Sequence, residues 1–421
     1  MASPEGNQPH GETSLNVDIP ANGFSTIREV DTGGDLILEI QHERAVFDNQ
    51  PRLHRQRFRV SSSMLKANSK YFNSLLEGRF GESQRIQKQW DELQEQYKSV
   101  SGAPGMELPV IHIEDIGRIS SVKSIEPLCF DFLCILHGQD MNAAPPVANL
   151  ANLAIVADRF DALDPVRNYI RRKRYFRVID GKATAKVDDA LSEERVRQRL
   201  LSAFFLDYGL WLEKYSLRLI TKGWVVSKDS VALWWDLPGM LEEELAFRRN
   251  CVLETIQSAQ SHLLSLYTSR ERQCRLGYDN SAQCDSFQLG EMIRFLTRIG
   301  TLQMNGTIRD TTELLEPYAG DVYTLVDMLR QAPEYQIDRN HTHCGIRTRL
   351  IPMLELILEG VSQLGVCSQC WSQNRAEHSW RKSKRPLTWK KSTSRLRNLG
   401  HQELHTNVKA LFMATQRDWS S

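Results

Sequence analysis

The three clear strand-like runs of this sequence all lie before residue 114, and that placement limits what the chain can build. They are Asp35-Leu-Ile-Leu-Glu-Ile40, Phe58-Arg-Val60 at the end of a heavily charged stretch, and Val110-Ile-His-Ile113, closed by Glu114 and Asp115. Three short strands make only a small sheet, and a small sheet must bury its apolar face under helices. The segments between them supply helical patterns. Ser61-Ser-Ser63 offers N-cap hydroxyls ahead of Met64 and Leu65, and Tyr71, Phe72, Leu75, Leu76 and Phe80 recur at spacings of three and four. Residues 127–137 are apolar and read as helix, and Leu150, Leu153, Ala154, Ala157 and Phe160 mark one side of a helix over 147–160. From 163 onward the periodicity is helical, with segments at 163–224, 242–270, 285–303, 311–331 and 346–364. Trp224 and Trp234-Trp235 bracket a linker or a docking strand.

The expected architecture is therefore an α+β N-terminal domain, a small three-stranded sheet with helices, followed by a mainly α-helical C-terminal region. Residues 1–30 read as a disordered leader, too polar to form a core. The α+β domain spans 31–175 and carries an inserted, partly helical loop at 82–105, charged and Gln-rich before it turns to Ser, Gly and Pro. The helical region spans 176–365, and a basic tail spans 366–421. No repeat at 20–50 residue spacing is present.

Charge and cysteine usage narrow the class. Lys and Arg number 53 against 52 Asp and Glu, a balance that argues against a surface built as a whole for nucleic acid. No run of 18 uncharged apolar residues predicts a membrane span, and 1–24 lacks the basic start and apolar stretch of a secretory signal. The eight cysteines are spread from Cys129 to Cys370, so they read as reduced thiols in the cytoplasm or nucleus.

The stretch from about 33 to 170 resembles a BTB/POZ domain of the fungal type. The resemblance rests on Gly34-Asp35-Leu-Ile-Leu, on Phe58-Arg-Val-Ser-Ser-Ser-Met-Leu65, and on Ser69-Lys-Tyr-Phe72 followed by Phe80-Gly-Glu82. It continues through Val110-Ile-His-Ile-Glu-Asp-Ile116, Phe130-x-Phe-Leu-x-x-Leu136 and Leu150-x-x-Leu-Ala-x-x-Ala-Asp-x-Phe160. The order of these pieces carries the likeness, since each alone is an ordinary core pattern. Phe58-Arg59 stands where the family often has His-Lys, and the 82–105 insertion replaces a short loop. After about residue 230 the phrases Arg272-Gln-Cys274, Cys284-Asp-Ser-Phe-Gln-Leu-Gly290 and His343-Cys-Gly-Ile-Arg347 are similar to the C-terminal parts of fungal BTB-domain proteins of unassigned role. What the resemblance implies is a protein–protein interaction adaptor, not an enzyme, that pairs with itself as a dimer or docks onto a cullin-type ubiquitin-ligase scaffold. It would then serve as a substrate adaptor for ubiquitination. Arg59, Met64, Tyr71, Phe80 and His112 are the interface candidates, with Tyr71 also suited to the core.

Two further chemistries stay open. Cys274 and Cys284, with the compact His341-x-His343-Cys344, offer thiolate and imidazole ligands for a closed structural zinc site. The expected set is Cys274, Cys284, His343 and Cys344. Cys367-x-x-Cys370 followed by His378 is half of another site or the partner of the first, and plain thiols are the commoner outcome for both. The tail holds Arg381-Lys-Ser-Lys-Arg385 and Lys390-Lys391 between Trp371, Trp380 and Trp389, a composition of cations and flat rings. It suits a solvated tail, an import signal or, less readily, nucleic-acid contact, which would make the chain a nuclear regulator. No nucleophile elbow, phosphate loop, dinucleotide fingerprint or zinc-protease motif occurs. Paired acids such as Glu242-Glu-Glu244 sit where a helix start usually carries solvated charge. The sequon at Asn305 has no role inside a cell.

Overall fold

The computed structural model describes residues 26–44, 52–78, 80–120, 124–141, 143–223, 232–274, 281–303, 318–334, 341, 343–390 and 396–420. Residues 1–25 of the expected leader, Trp224, Asn305 and the first part of the expected 311–331 helix lie outside them. The sheet has four strands rather than three: β1 (Ile27–Glu29), β2 (Leu36–Arg44), β3 (Arg52–Val60) and β4 (Val110–Ile113), in the order β1-β3-β2-β4. β2 and β3 form an antiparallel pair, with Leu36 opposite Val60 and Arg44 opposite Arg52. β1 runs parallel to β3, and β4 parallel to β2. The charged residues 52–57 obscured the first half of β3 in the sequence, and β1 comes from the expected leader. Gly34 is required where the chain enters β2, because a Cβ there would lie 2.6 Å from the Val60 carbonyl oxygen.

β3 leads into α1 (Ser62–Asn68), α2 (Lys70–Leu76) and α3 (Gly81–Tyr97). The run Leu36-Ile-Leu38 is apolar without alternation because both faces of β2 are covered. Leu36, Leu38, Ile40, Phe58 and Val60 face the main core, whereas Ile37 packs with Leu93, Ala103 and Leu108 on the opposite side. The stretch expected as an inserted loop is thus the second layer of the domain: α3 buries Ile86 and Leu93, and Trp90 Nε1 donates to the Asp35 carbonyl at 2.8 Å. The Ser61 side chain does not cap α1. Asp35 does so, accepting from Ser62 N and Oγ, each at 2.7 Å. Ser69 caps α2 by accepting from Phe72 N and donates its hydroxyl to the Phe160 carbonyl.

On the main-core side follow α4 (Glu126–Leu136), α5 (Val147–Arg159) and α6 (Leu163–Lys173). Phe160 stacks on Phe72 and Phe132 at centroid distances of 5.2 and 5.6 Å. α5 is buried continuously from Leu150 to Ala157, not on one side only, because it lies between α4 and a helix of the next region. That region comprises α7 (Tyr175–Lys182), α8 (Ala185–Asp189), α9 (Glu193–Leu206), α10 (Gly209–Lys222) and α11 (Leu241–Thr268). It continues with α12 (Ser281–Arg298), α13 (Val322–Arg330), α14 (Ile346–Val361), α15 (Ser368–Gln373) and α16 (His401–Met413). α9 packs on α5, so a single hydrophobic core runs from the sheet into the helical region.

Residues 366–420 are not a solvated tail. They hold α15, α16 and a parallel strand pair, β5 (Thr388–Lys390) with β6 (Gln416–Asp418). Trp371, Trp380, Trp389 and Trp419 are all buried. Among the described residues no helix is long and apolar enough to cross a membrane.

Candidate metal centres and interaction face

The C-terminal segment is held by α11. Glu244 and Arg248, one turn apart and both buried, form a 2.8 Å ion pair. Arg248 donates onward to the carbonyls of Leu364, Gly365 and His378, and its guanidinium lies 4.7 Å over the Trp380 ring. Glu244 accepts from the Ser379 hydroxyl and the Trp380 and Arg381 amides. Burial pushes the Glu244 carboxyl up. The Arg248 charge and these hydrogen bonds outweigh it and hold the group below the usual glutamate range. Glu242 also pairs, accepting two bonds from buried Arg197 at 2.7 and 3.0 Å. Glu242 and Glu244, read as helix-start charge, are therefore structural ion-pair partners, whereas Glu243 is exposed.

This scaffold positions the first cluster. Cys367 immediately precedes α15 and Cys370 lies in its first turn, while His401 and His405 are four residues apart on one face of α16. One ligand atom from each of the four lies within 4.8 Å of the others. His401 Nε2 is 3.8 Å from Cys367 Sγ and 3.4 Å from Cys370 Sγ. Ser368 ties α15 to α10 by donating its amide and hydroxyl to Glu213, and Trp371 Nε1 donates to Asp207. The cluster borders a polar cleft of about 390 Å³ lined also by Arg248, Ser379, Lys382 and Lys409.

The second cluster gathers Cys274, Cys284 and Cys344 from the end of the α11 segment, α12 and the approach to α14. The Asp285 carboxylate accepts from the amides of Gln273 and Cys274, and the Tyr267 hydroxyl donates to the Cys344 carbonyl. Such contacts orient ligands from behind. Cys344 Sγ stands 3.7 Å from Cys274 Sγ, far beyond the roughly 2.05 Å of a disulfide. Two sulfurs on one tetrahedral zinc lie about 3.8 Å apart, given Zn–S bonds of about 2.3 Å. Burial, followed by the neighbouring sulfurs, pushes the Cys284 thiol well up in the metal-free chain. The three thiols suit a metal, and His341, three residues before Cys344, is buried but not among the grouped ligand atoms.

The sequence placed these residues unevenly. Cys274, Cys284 and Cys344 come together as expected, but His343 is exposed and outside the group. His378 lies outside the group formed with Cys367-x-x-Cys370, and its Nδ1 faces the Arg375 carbonyl. Its place is taken by His401 and His405, which the sequence reading missed. The signal was present as C-x-x-C followed thirty residues later by H-x-x-x-H. Trp371, Trp380 and Trp389, offered as base-stacking rings, are core anchors with faces already covered.

The interface candidates divide as well. Phe80 is 55% exposed at the start of α3, and His112 is exposed on β4 beside Glu39 at 3.2 Å. Met64 is half-buried on α1. Tyr71 packs edge-on against Phe72 and Phe160, the core role foreseen for it. Arg59 cannot face a partner: it is buried, and its guanidinium donates to the carbonyls of Gly34, Ser101 and Ala103, tying the segment after α3 to the sheet. No protein-family model, curated protein or solved structure matches the chain.

Proposed function

We propose that this chain is a protein–protein interaction adaptor of the cytoplasm or nucleus whose BTB/POZ-like α+β region carries the interface. The observation that supports it is the element order: a strand hairpin, the α1–α2 pair, a parallel strand and the α4–α5 hairpin, in the sequence the family resemblance predicts. Phe80, large, apolar and exposed beside Glu82 at the start of α3, is the anchor offered to the partner. Interfaces of this class bury on the order of 1,200–2,000 Å² around a few such anchors. The partner is a second copy of the chain or a cullin-type scaffold, and with the scaffold the adaptor serves ubiquitination.

Because α5 and α9 share one core, deleting the α+β region would expose the helical region and destroy the test. The experiment therefore uses the full chain with Phe80→Glu. Self-association is followed by sedimentation, and binding to a purified cullin-type scaffold by calorimetry. The expected result is association by the intact chain, weakened at least about tenfold by a charge at a desolvated anchor. An intact chain that is monomeric and does not bind the scaffold overturns the proposal.

A further inference from the structure

We propose that Cys367, Cys370, His401 and His405 bind one Zn²⁺ ion in a closed, four-ligand site that fastens α16 to α15. The ligand chemistry selects the metal: two thiolates and two imidazoles form a tetrahedral S₂N₂ set, which suits zinc. The geometry agrees. Zn–S bonds of about 2.3 Å and Zn–N bonds of about 2.0 Å at tetrahedral angles place sulfur and nitrogen about 3.5 Å apart. The two sulfur–nitrogen separations at His401 Nε2, 3.8 and 3.4 Å, bracket that edge. The spacing has a mechanical basis as well. Residues 401 and 405 share a helix face, and residues 367 and 370 span the first turn of α15, so each element presents two ligands without backbone distortion.

Four protein ligands leave no position for water or substrate, so the ion is structural. Its effect follows from where the two helices are anchored. α15 is tied to α10 through Ser368 and Glu213, whereas α16 buries Val408, Leu411 and Phe412 and packs on α11. The metal closes a thirty-residue segment between Cys370 and His401 whose described residues, beyond the end of α15, hold one three-residue strand and short 3₁₀ turns. Two thiolates neutralise the Zn²⁺ charge, so the site adds no net charge beside Arg248 and Lys409 in the neighbouring cleft. Because the bound arrangement exists only in the folded chain, metal affinity becomes stability of this segment.

The test reads each thiol in the full-length chain. The isolated protein is alkylated, then treated with a zinc chelator and alkylated with a second label, without reductant, and the peptides are identified by mass spectrometry. The expected result is that Cys367 and Cys370 resist the first label and take the second. Immediate labelling of both would show free thiols, and labelling only after reduction would show a disulfide; either overturns the proposal. Metal content supplies the independent arm. His401→Gln/His405→Gln should lose one zinc equivalent relative to the intact chain, while Cys344→Ser keeps the Cys367 and Cys370 protection. Unchanged zinc in the double variant also overturns it, and the labelling result stands whether or not that variant folds.

Discussion

The α+β region and the C-terminal segment 366–420 solve the same packing problem with different means. The first fills its interior with long apolar elements: Leu36, Leu38, Phe58, Phe72, Phe132 and Phe160 meet in one continuous core. The second is built from a six-residue helix, two three-residue strands and one longer helix, too little to bury a core of its own. It is fixed instead by single tryptophans set into the main core, the Glu244–Arg248 pair and a Cys₂His₂ cluster. Apolar burial is non-directional and tolerates imprecision, whereas a buried charge or a ligand set works only when every partner is present. The C-terminal segment should therefore fail abruptly where the α+β region loses stability in proportion to what is removed.

The largest expected effect tests that contrast directly. Arg248→Met leaves Glu244 buried without its cation and three carbonyls without a donor, and should cost about 3–5 kcal/mol in urea unfolding. Adding Glu244→Gln should restore part of the loss, since a neutral amide is less costly to bury than a lone carboxylate. Phe132→Ala should cost a similar ~3–5 kcal/mol through lost contact and residual cavity. Unlike the ion pair, no second-site change of charge should rescue it. Equal rescue of both by charge neutralisation would break the comparison.

Acid should separate the regions next. His137 accepts from the Ser61 amide through Nε2 at 2.9 Å, with Nδ1 2.7 Å from the Leu133 carbonyl. Burial holds its imidazole below the ordinary value despite the Leu133 carbonyl and nearby acids. A depressed histidine contributes stability that is full above its unfolded value of about 6.5 and declines as pH falls through the lower folded value. Glu244, also depressed, contributes stability present above about 4.5 and lost as pH falls through its folded value. Hydrogen exchange during acid titration should thus loosen the start of α1 first and the 366–420 segment at lower pH. Glu244→Gln should shrink the second step, to which acid release of the metal also contributes, and leave the first. The smallest effect lies at the end of α3, where Lys98 adopts φ 60°. Lys98→Gly should change stability by no more than about 1 kcal/mol, and in the stabilising direction, measured by thermal unfolding.

Legibility in the sequence followed the length and period of each pattern. The helix over 147–160 and the strand at 35–40 were plain because many residues repeat one spacing. The first half of β3 was hidden by its run of charges, and α3 looked like a loop because a few residues, Ile86, Trp90, Leu93 and Tyr97, pack along an otherwise polar helix. At the candidate site, three thiols of one cluster and both cysteines of the other were legible by residue type. His401 and His405 were not, because a basic, Ser-rich stretch hid the helix that carries them.

By itself the sequence determined the class of the protein: a small N-terminal sheet under helices, helices thereafter, and thiols and imidazoles concentrated toward the end. These follow from local periodicity and composition, which need only neighbours along the chain. Tertiary structure decided the rest. It turned Arg59 inward, made Trp371, Trp380 and Trp389 core anchors, paired Glu244 with Arg248, and chose His401 and His405 over His378. Each of those outcomes depends on which surface a residue meets across scores of intervening positions, and no local pattern carries that information.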